Sequence, residues 1–251
     1  MNREATGLAG VRHIAYETLG STNAEAMALA RAGERGPLWI SATTQSAGRG
    51  RRGSPWVSPP GNLYVTLLLT EPSEPPQAPQ LSFVAALAVH DAVATCAPQL
   101  GPLLTVKWPN DLLVGQAKVA GILIEGESEP AFAVAIGIGV NCATHPRDTT
   151  YPAIDLATTG ALVVPDALFA ALSVAMAQRL TQWNSGLGFA AIREGWLKRA
   201  AGLGETLQVR LREREFSGCF EGLDETGRLL LKQGDNLSTI TAGEVFGFGE
   251  R

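Results

Sequence analysis

The segment at residues 48–53 limits the folds open to this chain more than any other. It reads Gly-Arg-Gly-Arg-Arg-Gly and formally matches the glycine pattern of a dinucleotide-binding fold. That fold requires a helix to begin within the glycine run. Pro55, Pro59 and Pro60 follow the run, and proline breaks a helix. A doubly wound dinucleotide fold is therefore excluded.

The same segment predicts a loop that binds an anion. Glycine allows positive φ angles and a close approach of the backbone to a ligand. Arginine offers a planar fork of donors that fits phosphate and carboxylate oxygens. The chain carries a formal net charge of −4, so three clustered arginines contrast with the rest of it. A solvated surface turn is the alternative interpretation.

Composition narrows the class of protein. The chain has 251 residues, enough for one large domain or for one large and one small domain. An acidic sequence pI of about 5.5 argues against a nucleic-acid surface. Cys96, Cys142 and Cys219 are far apart and odd in number, which is typical of reduced thiols. With no signal-peptide pattern and no apolar run of membrane-spanning length, we expect a cytoplasmic protein.

Apolar periodicity predicts a mixture of helices and strands before residue 202. The predicted helices are 21–32, 81–97, 165–184 and 189–201, and the predicted strands are 39–44, 63–69, 103–107, 118–125 and 131–141. Because helices and strands do not alternate strictly, we expect an α+β fold, with a hairpin formed by the last two strands.

The pattern changes after residue 202. Short alternating strands are predicted at 206–212, 216–224, 228–232 and 238–240, separated by tight-turn sequences. We therefore predict a first domain at 1–202 and a small all-β domain at 203–251.

Two polar segments offer candidate ligand contacts. Ser21-Thr22-Asn23 precedes a helix, where Thr22 and Glu25 fit a capping box, but a helix N-terminus also presents free N–H groups to a ligand. Lys107-Trp108-Pro109-Asn110-Asp111 ends a strand with an amide and a carboxylate. This segment fits either a self-bonded turn or a nucleotide contact.

Two apolar strands carry further candidates. Lys118 opens a strand that is otherwise apolar, and it either reaches water or stands over a ligand oxyanion. Gly137 and Gly139 are two residues apart, so they lie on one face of a strand. Their missing side chains leave either a slot for a flat ligand or room for a packed helix.

Together these segments resemble the biotin protein ligases. The resemblance rests on motifs in the family's order and spacing: 21–23, 44–53 with Trp56, 61–64, 107–111, 118–123 and 137–141. It covers nearly the whole chain. It implies a mixed sheet packed with helices, as in the class II synthetase-like biotin–lipoate ligase fold, and an SH3-like β-barrel at the C-terminus.

The resemblance also implies a reaction. ATP and Mg²⁺ would activate biotin as biotinyl-5′-AMP, and the biotinyl group would then pass to a lysine of a biotin carboxyl carrier protein domain. No tightly bound metal or prosthetic group is implied.

Site residues follow from the same resemblance. Catalysis is assigned to Lys118, Arg49, Arg51 and Asp111. Biotin would contact Ser21, Thr22, Gln45, Gly48, Arg49, Lys118, Gly121, Leu123, Gly137 and Gly139. ATP or the adenylate would contact Arg51, Arg52, Gly53, Trp56, Lys107, Asn110 and Asn141. Asp111 is also the candidate Mg²⁺ ligand.

Some features depart from the family pattern, and others do not decide the oligomeric state. Thr22 lies too near the start for the N-terminal helix-turn-helix of the biotin-dependent repressors, and the sequence pI is acidic, so no DNA partner is expected. No membrane partner is expected either, because no apolar run reaches membrane-spanning length. Ser54 and Pro55 stand where some relatives carry basic residues. Homodimers through the main sheet occur in the family, and the sequence leaves the oligomeric state open. Residues 46–58 are expected to become ordered around the adenylate.

Two other functions remain open from the sequence. One is a lipoate or octanoate ligase, which would need an open apolar channel where Gln45, Ser21 and Thr22 offer polar groups. The other is a non-catalytic biotin-responsive regulator.

Overall fold

The computed structural model describes residues 3–6, 10–147, 149, 151–211, 214–241 and 243–248. The strands of a larger sheet are β1 (Arg3–Thr6), β2 (Arg12–Leu19), β3 (Leu38–Gln45), β4 (Leu63–Thr70), β5 (Leu104–Lys107), β6 (Asp111–Val114), β7 (Ala117–Glu127) and β8 (Ala133–Val140). The helices are α1 (Thr22–Arg31), α2 (Leu81–Cys96), α3 (Pro165–Trp183) and α4 (Phe189–Leu197). A smaller sheet holds β9 (Thr206–Leu211), β10 (Arg214–Leu223), β11 (Leu229–Gln233), β12 (Asn236–Ile240) and β13 (Glu244–Phe248).

The larger sheet is mixed, as the family resemblance implied. Its strand order is β1-β2-β3-β4-β8-β7-β6-β5. Strands β2 and β3 are parallel and are joined by α1, whereas the other neighbours are antiparallel. The predicted hairpin is present as β7 and β8. Strands β1, β2, β6 and β13 were not predicted from the sequence.

Side chains of β4 point alternately to the two faces of the larger sheet, and each face is covered by different helices. Leu63, Val65 and Leu67 belong to the main core beneath α2 and α3, whereas Leu68 belongs to a second cluster with Ala26 of α1. Helix α1 has ten residues, so it covers only part of the sheet face on which Leu68 lies. The rest of that face, around β7 and β8, is left for the site.

The smaller sheet packs against the body of the molecule. Trp108 Nε1 donates to Gly227 O at 3.1 Å, across the junction between the two sheets. A Cβ atom at Gly227 would lie 2.7 Å from the Phe83 ring, so this turn fits closely against α2. The junction brings the start of β13 beside the strand ends of the larger sheet. The boundary at residue 202 stays a prediction.

None of the helices in the described part of the chain is both long enough and apolar enough to cross a membrane.

Candidate active site

A cavity of about 230 Å³ lies where α1, the arginine loop and both sheets meet. Its walls come from the N-terminus of α1, the end of β3 with the loop after it, the strands β5 to β8, and the start of β13. The lining residues are Ser21, Thr22, Asn23, Gln45, Arg49, Gly50, Arg51, Arg52, Ser54, Trp56, Lys107, Trp108, Pro109, Asn110, Asp111, Lys118, Gly121, Ile122, Leu123, Gly137, Ile138, Gly139, Gly243, Glu244 and Val245. Most of the predicted site residues thus converge in one place.

One end of the cavity is polar but uncharged. Gln45 Oε1 accepts from Thr22 N at 2.8 Å, and the Thr22 hydroxyl lies 3.2 Å from the same oxygen. Gln45 Nε2 donates to Ser58 Oγ at 3.0 Å, which orients the amide. The N-cap of α1 is Ser21, whose Oγ accepts from Ala24 N, so the predicted capping box at Thr22 is wrong.

Arg49 is held by an ion pair at the edge of the cavity. Its Nη2 lies 3.0 and 3.1 Å from the two carboxylate oxygens of Glu125 on β7, and its Nε lies 3.3 Å from Oε1. Glu125 was not among the predicted site residues.

Arg51 reaches across the loop toward the smaller sheet. Its Nη1 donates to Asn110 Oδ1 at 3.3 Å and to Gly243 O at 3.1 Å. Burial lowers the pKa of Arg51, and the charge of Arg52 adds to this effect. Arg52 takes a positive φ of 57°, a conformation unusual for a residue other than glycine. The loop therefore turns sharply at Arg52, directly after Arg51, and both side chains line the cavity.

A second cluster of charged side chains is formed by residues of β5, β6 and β7. Lys118 Nζ lies 2.7 Å from Asp111 Oδ1, and Lys107 Nζ lies 3.3 Å from Asp111 Oδ2. Burial alone would raise the pKa of Asp111, but the charges of Lys118 and Lys107 outweigh it and hold that pKa below its usual value. Burial lowers the pKa of Lys107, with the Asp111 charge opposing the shift. Two ammonium groups around one carboxylate leave a net positive charge facing the cavity.

Contacts from distant parts of the chain complete the environment of Lys107. Its ammonium donates to Val245 O at 3.2 Å and lies 3.9 Å from the centroid of the Tyr151 ring. The Tyr151 hydroxyl donates to the same carbonyl oxygen. Neither Tyr151 nor the β13 residues carried a recognisable motif in the sequence.

The glycine slot is present, and Trp56 lies in it. Gly121 and Gly139 are register partners on β7 and β8. A Cβ atom at Gly139 would lie 2.5 Å from Trp56 Nε1, and one at Gly121 would lie 3.0 Å from Trp56 Cζ3. Within the described part of the chain, the buried Trp56 Nε1 has no hydrogen-bond partner. A ligand over these glycines therefore requires the indole to move, and adenine stacking on Trp56 stays a prediction.

Asn23 covers the third glycine of the slot. A Cβ atom at Gly137 would lie 2.2 Å from Asn23 Oδ1, so no larger residue fits here without displacing that amide. Asn23 belongs to the predicted motif at residues 21–23, but no contact of its own was predicted for it. Its position on the sheet could not be derived from that local pattern.

Three predicted residues do not line the cavity. Asn141 is buried and its Nδ2 donates to Ile154 O at 3.1 Å, which anchors a loop. Gly48 permits close packing, since a Cβ there would lie 2.5 Å from Trp56 O. Gly53 takes a φ of +75° and completes the loop's turn. Their predicted ligand contacts stay predictions.

The donor set does not fit a metal ion held by the protein itself. The carboxylate of Asp111 is already shared by two lysines. Among the described residues, no group of three or more His, Cys, Asp or Glu side chains could hold a metal ion. The predicted role of Asp111 as a Mg²⁺ ligand is therefore not supported by its surroundings.

Comparisons with known families agree with this geometry. Residues 22–141 match the biotin/lipoate A/B protein ligase family, and residues 202–246 match the biotin protein ligase C-terminal domain. The chain is 45% identical over 235 residues to biotin--[acetyl-CoA-carboxylase] ligase of Paracoccus denitrificans, covering 90% of this chain and 96% of that protein.

Solved structures show the same architecture. The biotin protein ligase of Aquifex aeolicus in complex with biotin and ATP aligns with a TM-score of 0.79 at 26% identity, covering 93% of this chain and 97% of that one. The Leishmania major ligase in complex with biotinyl-5-AMP aligns with a TM-score of 0.65 at 25% identity, covering 91% and 98%.

The fold is that of the ligase structures above, and its cavity places a polar pocket beside a cluster of cations. Together with the relatives above, they place the chain in the biotin protein ligase family.

Proposed function

We propose that this chain uses ATP to activate biotin as biotinyl-5′-AMP and then transfers biotin to a lysine of a carboxyl carrier domain. The observation that carries the proposal is the cavity itself, in which a polar pocket and two groups of cations face a glycine-lined slot. The Paracoccus relative is named for acetyl-CoA carboxylase, which is therefore the proposed acceptor. The Aquifex and Leishmania complexes hold the same substrates and intermediate.

Biotin recognition is assigned to the uncharged end. Thr22 and Gln45 are oriented by hydrogen bonds to each other and to Ser58, so their remaining hydrogen-bonding capacity is directed. Such groups suit the ureido ring of biotin, because its carbonyl accepts and its N–H groups donate. A site built this way rejects analogues that lack the matching polar atoms.

Adenylate formation is assigned to the cations. One biotin carboxylate oxygen attacks the α-phosphorus of ATP, a P–O bond forms, and pyrophosphate leaves with the electrons of the broken P–O bond. Lys118 and Arg51 line the cavity where this negative charge would gather. Fixed cations in a water-poor site stabilise developing charge more than mobile water does.

Transfer reuses the same groups. The acceptor amine, in its neutral form, attacks the acyl carbonyl and a C–N bond forms. The C–O bond to AMP breaks with its electron pair leaving on the AMP phosphate, and the proton lost by the amine passes to solvent water. Asp111 lies beside Lys118 and is proposed to help position the incoming ammonium group. Lys118 then balances charge on the tetrahedral oxyanion.

The direct test follows the label through both steps. The protein is incubated with ATP and radiolabelled biotin, and a carrier domain is then added. Labelled adenylate followed by labelled carrier is expected. Labelling with lipoate or octanoate, and not with biotin, would overturn the substrate assignment.

The cellular location, the absence of a DNA partner and the oligomeric state are proposed on separate grounds. All three cysteines are free, as expected for a reducing cytoplasm. The net charge of −4 argues against DNA as a partner. A homodimer through the larger sheet is the assembly proposed, and sedimentation of the purified chain tests it.

A further inference from the structure

Glu125 lies beside the proposed catalytic arginine but belongs to no motif of the chain. It is on β7, two residues from Leu123, and the register places it opposite Ala135. Its carboxylate contacts Arg49 through both oxygens. The contact uses the Nε and Nη2 edge of the guanidinium, so the remaining nitrogen, Nη1, lies on the edge that does not face Glu125.

A hydrogen-bond series connects this carboxylate to the polar end of the cavity. Asn23 Nδ2 donates to Glu125 Oε2 at 2.8 Å. The Thr66 hydroxyl donates to Asn23 Oδ1 at 2.7 Å, which fixes which way the amide points. Thr66 Oγ1 also lies 2.8 Å from Thr22 Oγ1, and Thr22 contacts Gln45. The same polar series therefore touches both ends of the cavity.

We propose that Glu125 is a positioning residue, which orients the Arg49 guanidinium toward the cavity and ties it through Asn23 to the Thr22–Gln45 pocket. This inference rests on the proposed function. Glu125 does not touch substrate; it acts through Arg49. Catalytic groups lose efficiency when their orientation is loosened by a small distance.

The same strand offers a matched control. Glu127 lies two residues further along β7 on the same face and pairs with Arg31 of α1 at 2.6 Å. Its side chain is 41% exposed, against 31% for Glu125, so both pairs are similarly open to water. Arg31 does not line the cavity. Each substitution therefore removes a half-exposed carboxylate charge paired with an arginine, but only Glu125 contacts a cavity arginine and accepts from Asn23.

The experiment is a double-mutant cycle on single-turnover adenylate formation. Glu125→Gln is expected to slow the step about tenfold, and Glu127→Gln is expected to match the wild type. In an Arg49→Ala background, Glu125→Gln is expected to have no further effect. Equal slowing by Glu125→Gln in both backgrounds, equal effects of the two Gln variants, or no effect of Glu125→Gln would overturn the inference.

A crystal structure of the Glu125→Gln variant gives a readout that does not depend on activity. Displacement of the Arg49 guanidinium from its place is expected, and an unchanged guanidinium would overturn the inference. Failure of the wild-type protein to form any adenylate would instead overturn the proposed function, so the two failures are distinguishable.

Discussion

The two ends of the cavity differ in how their polar groups are satisfied. At the α1 end, Thr22 and Gln45 are neutral and are fixed by backbone and side-chain hydrogen bonds. At the other end, several cations have a counter-charge within the protein: Arg49 pairs with Glu125, and Lys118 pairs with Asp111. The neutral end is thus suited to recognising a neutral ring. The charged end can respond when a substrate brings or develops negative charge.

The largest expected effect is at the charged end. Lys118→Ala should slow adenylate formation about a thousandfold, because it removes a cation that faces the reacting oxygens. Single-turnover kinetics with labelled biotin measure this rate. Lys198→Ala, which breaks an exposed pair with Glu194, is the control and should match the wild type. Wild-type adenylation by Lys118→Ala would remove this residue from the mechanism.

The second prediction concerns stability at the same end. Asp111→Asn should lower the free energy of unfolding at pH 7 by about 3 kcal/mol, because it leaves two lysines without their shared counter-charge. The pKa of Asp111 is held below 3.8 in the folded chain. The unfolded chain therefore takes up the proton first as the pH falls.

The difference between wild type and Asp111→Asn should consequently be full above about pH 4, near the ordinary pKa of aspartate. It should shrink as the pH falls through the folded pKa. Urea unfolding of both proteins across this range measures it. A difference that stays constant from pH 5 down to pH 3 would show that it does not come from the charge of Asp111.

The third prediction tests the glycine slot, which lies between the two ends of the cavity. Gly137→Ala should destabilise the fold by about 2 kcal/mol, because the new methyl group meets the amide of Asn23, which is held on both sides. Urea unfolding measures the loss. Gly126→Ala is the matched control on β7, where a Cβ makes only ordinary contacts at 3.5 Å or more. Equal stability of the two variants would mean that Asn23 adapts freely.

The smallest effect is expected at the neutral end. Gln45→Ala should raise the KM for biotin about tenfold and leave kcat nearly unchanged, because it removes a hydrogen-bonding group that binds without taking part in the chemistry. Steady-state kinetics separate the two parameters. Thr43→Ala, at an exposed position on β3 outside the family motifs, should change neither. A large fall in kcat for Gln45→Ala would break the distinction between the two ends.

The helices and the central hairpin could be predicted because their signals are local. The apolar run of α2 and the paired strands β7 and β8 appear in the sequence with nearly the right bounds. Strand β2 was missed because residues 12–19 are mixed in character and gain their place only by pairing with β3. Strand β6 has four residues and directly follows a turn, which is too short for a periodic signal.

The sequence predicted which residues line the site better than it predicted which partners those residues contact. Motifs identified Lys118, Asp111, Gln45 and the arginines, and the structure gathers them around one cavity. The partners of those residues could not be predicted, since they come from far along the chain. Glu125 is 76 residues from Arg49, and Val245 is 138 residues from Lys107. Trp56 was a recognised motif residue, but its place over Gly139 depends on the path of the whole loop.

The position of β13 has a consequence for synthesis of the chain. Carbonyl groups of Gly243 and Val245 accept from Arg51 and Lys107, which are made much earlier. Chains fold from the N-terminus as they are made. A nascent chain that already contains every cationic residue of the site therefore still lacks two acceptors that hold them. The cavity is completed only after β13 has emerged and docked, so early-terminated chains would carry all the motifs without their final arrangement.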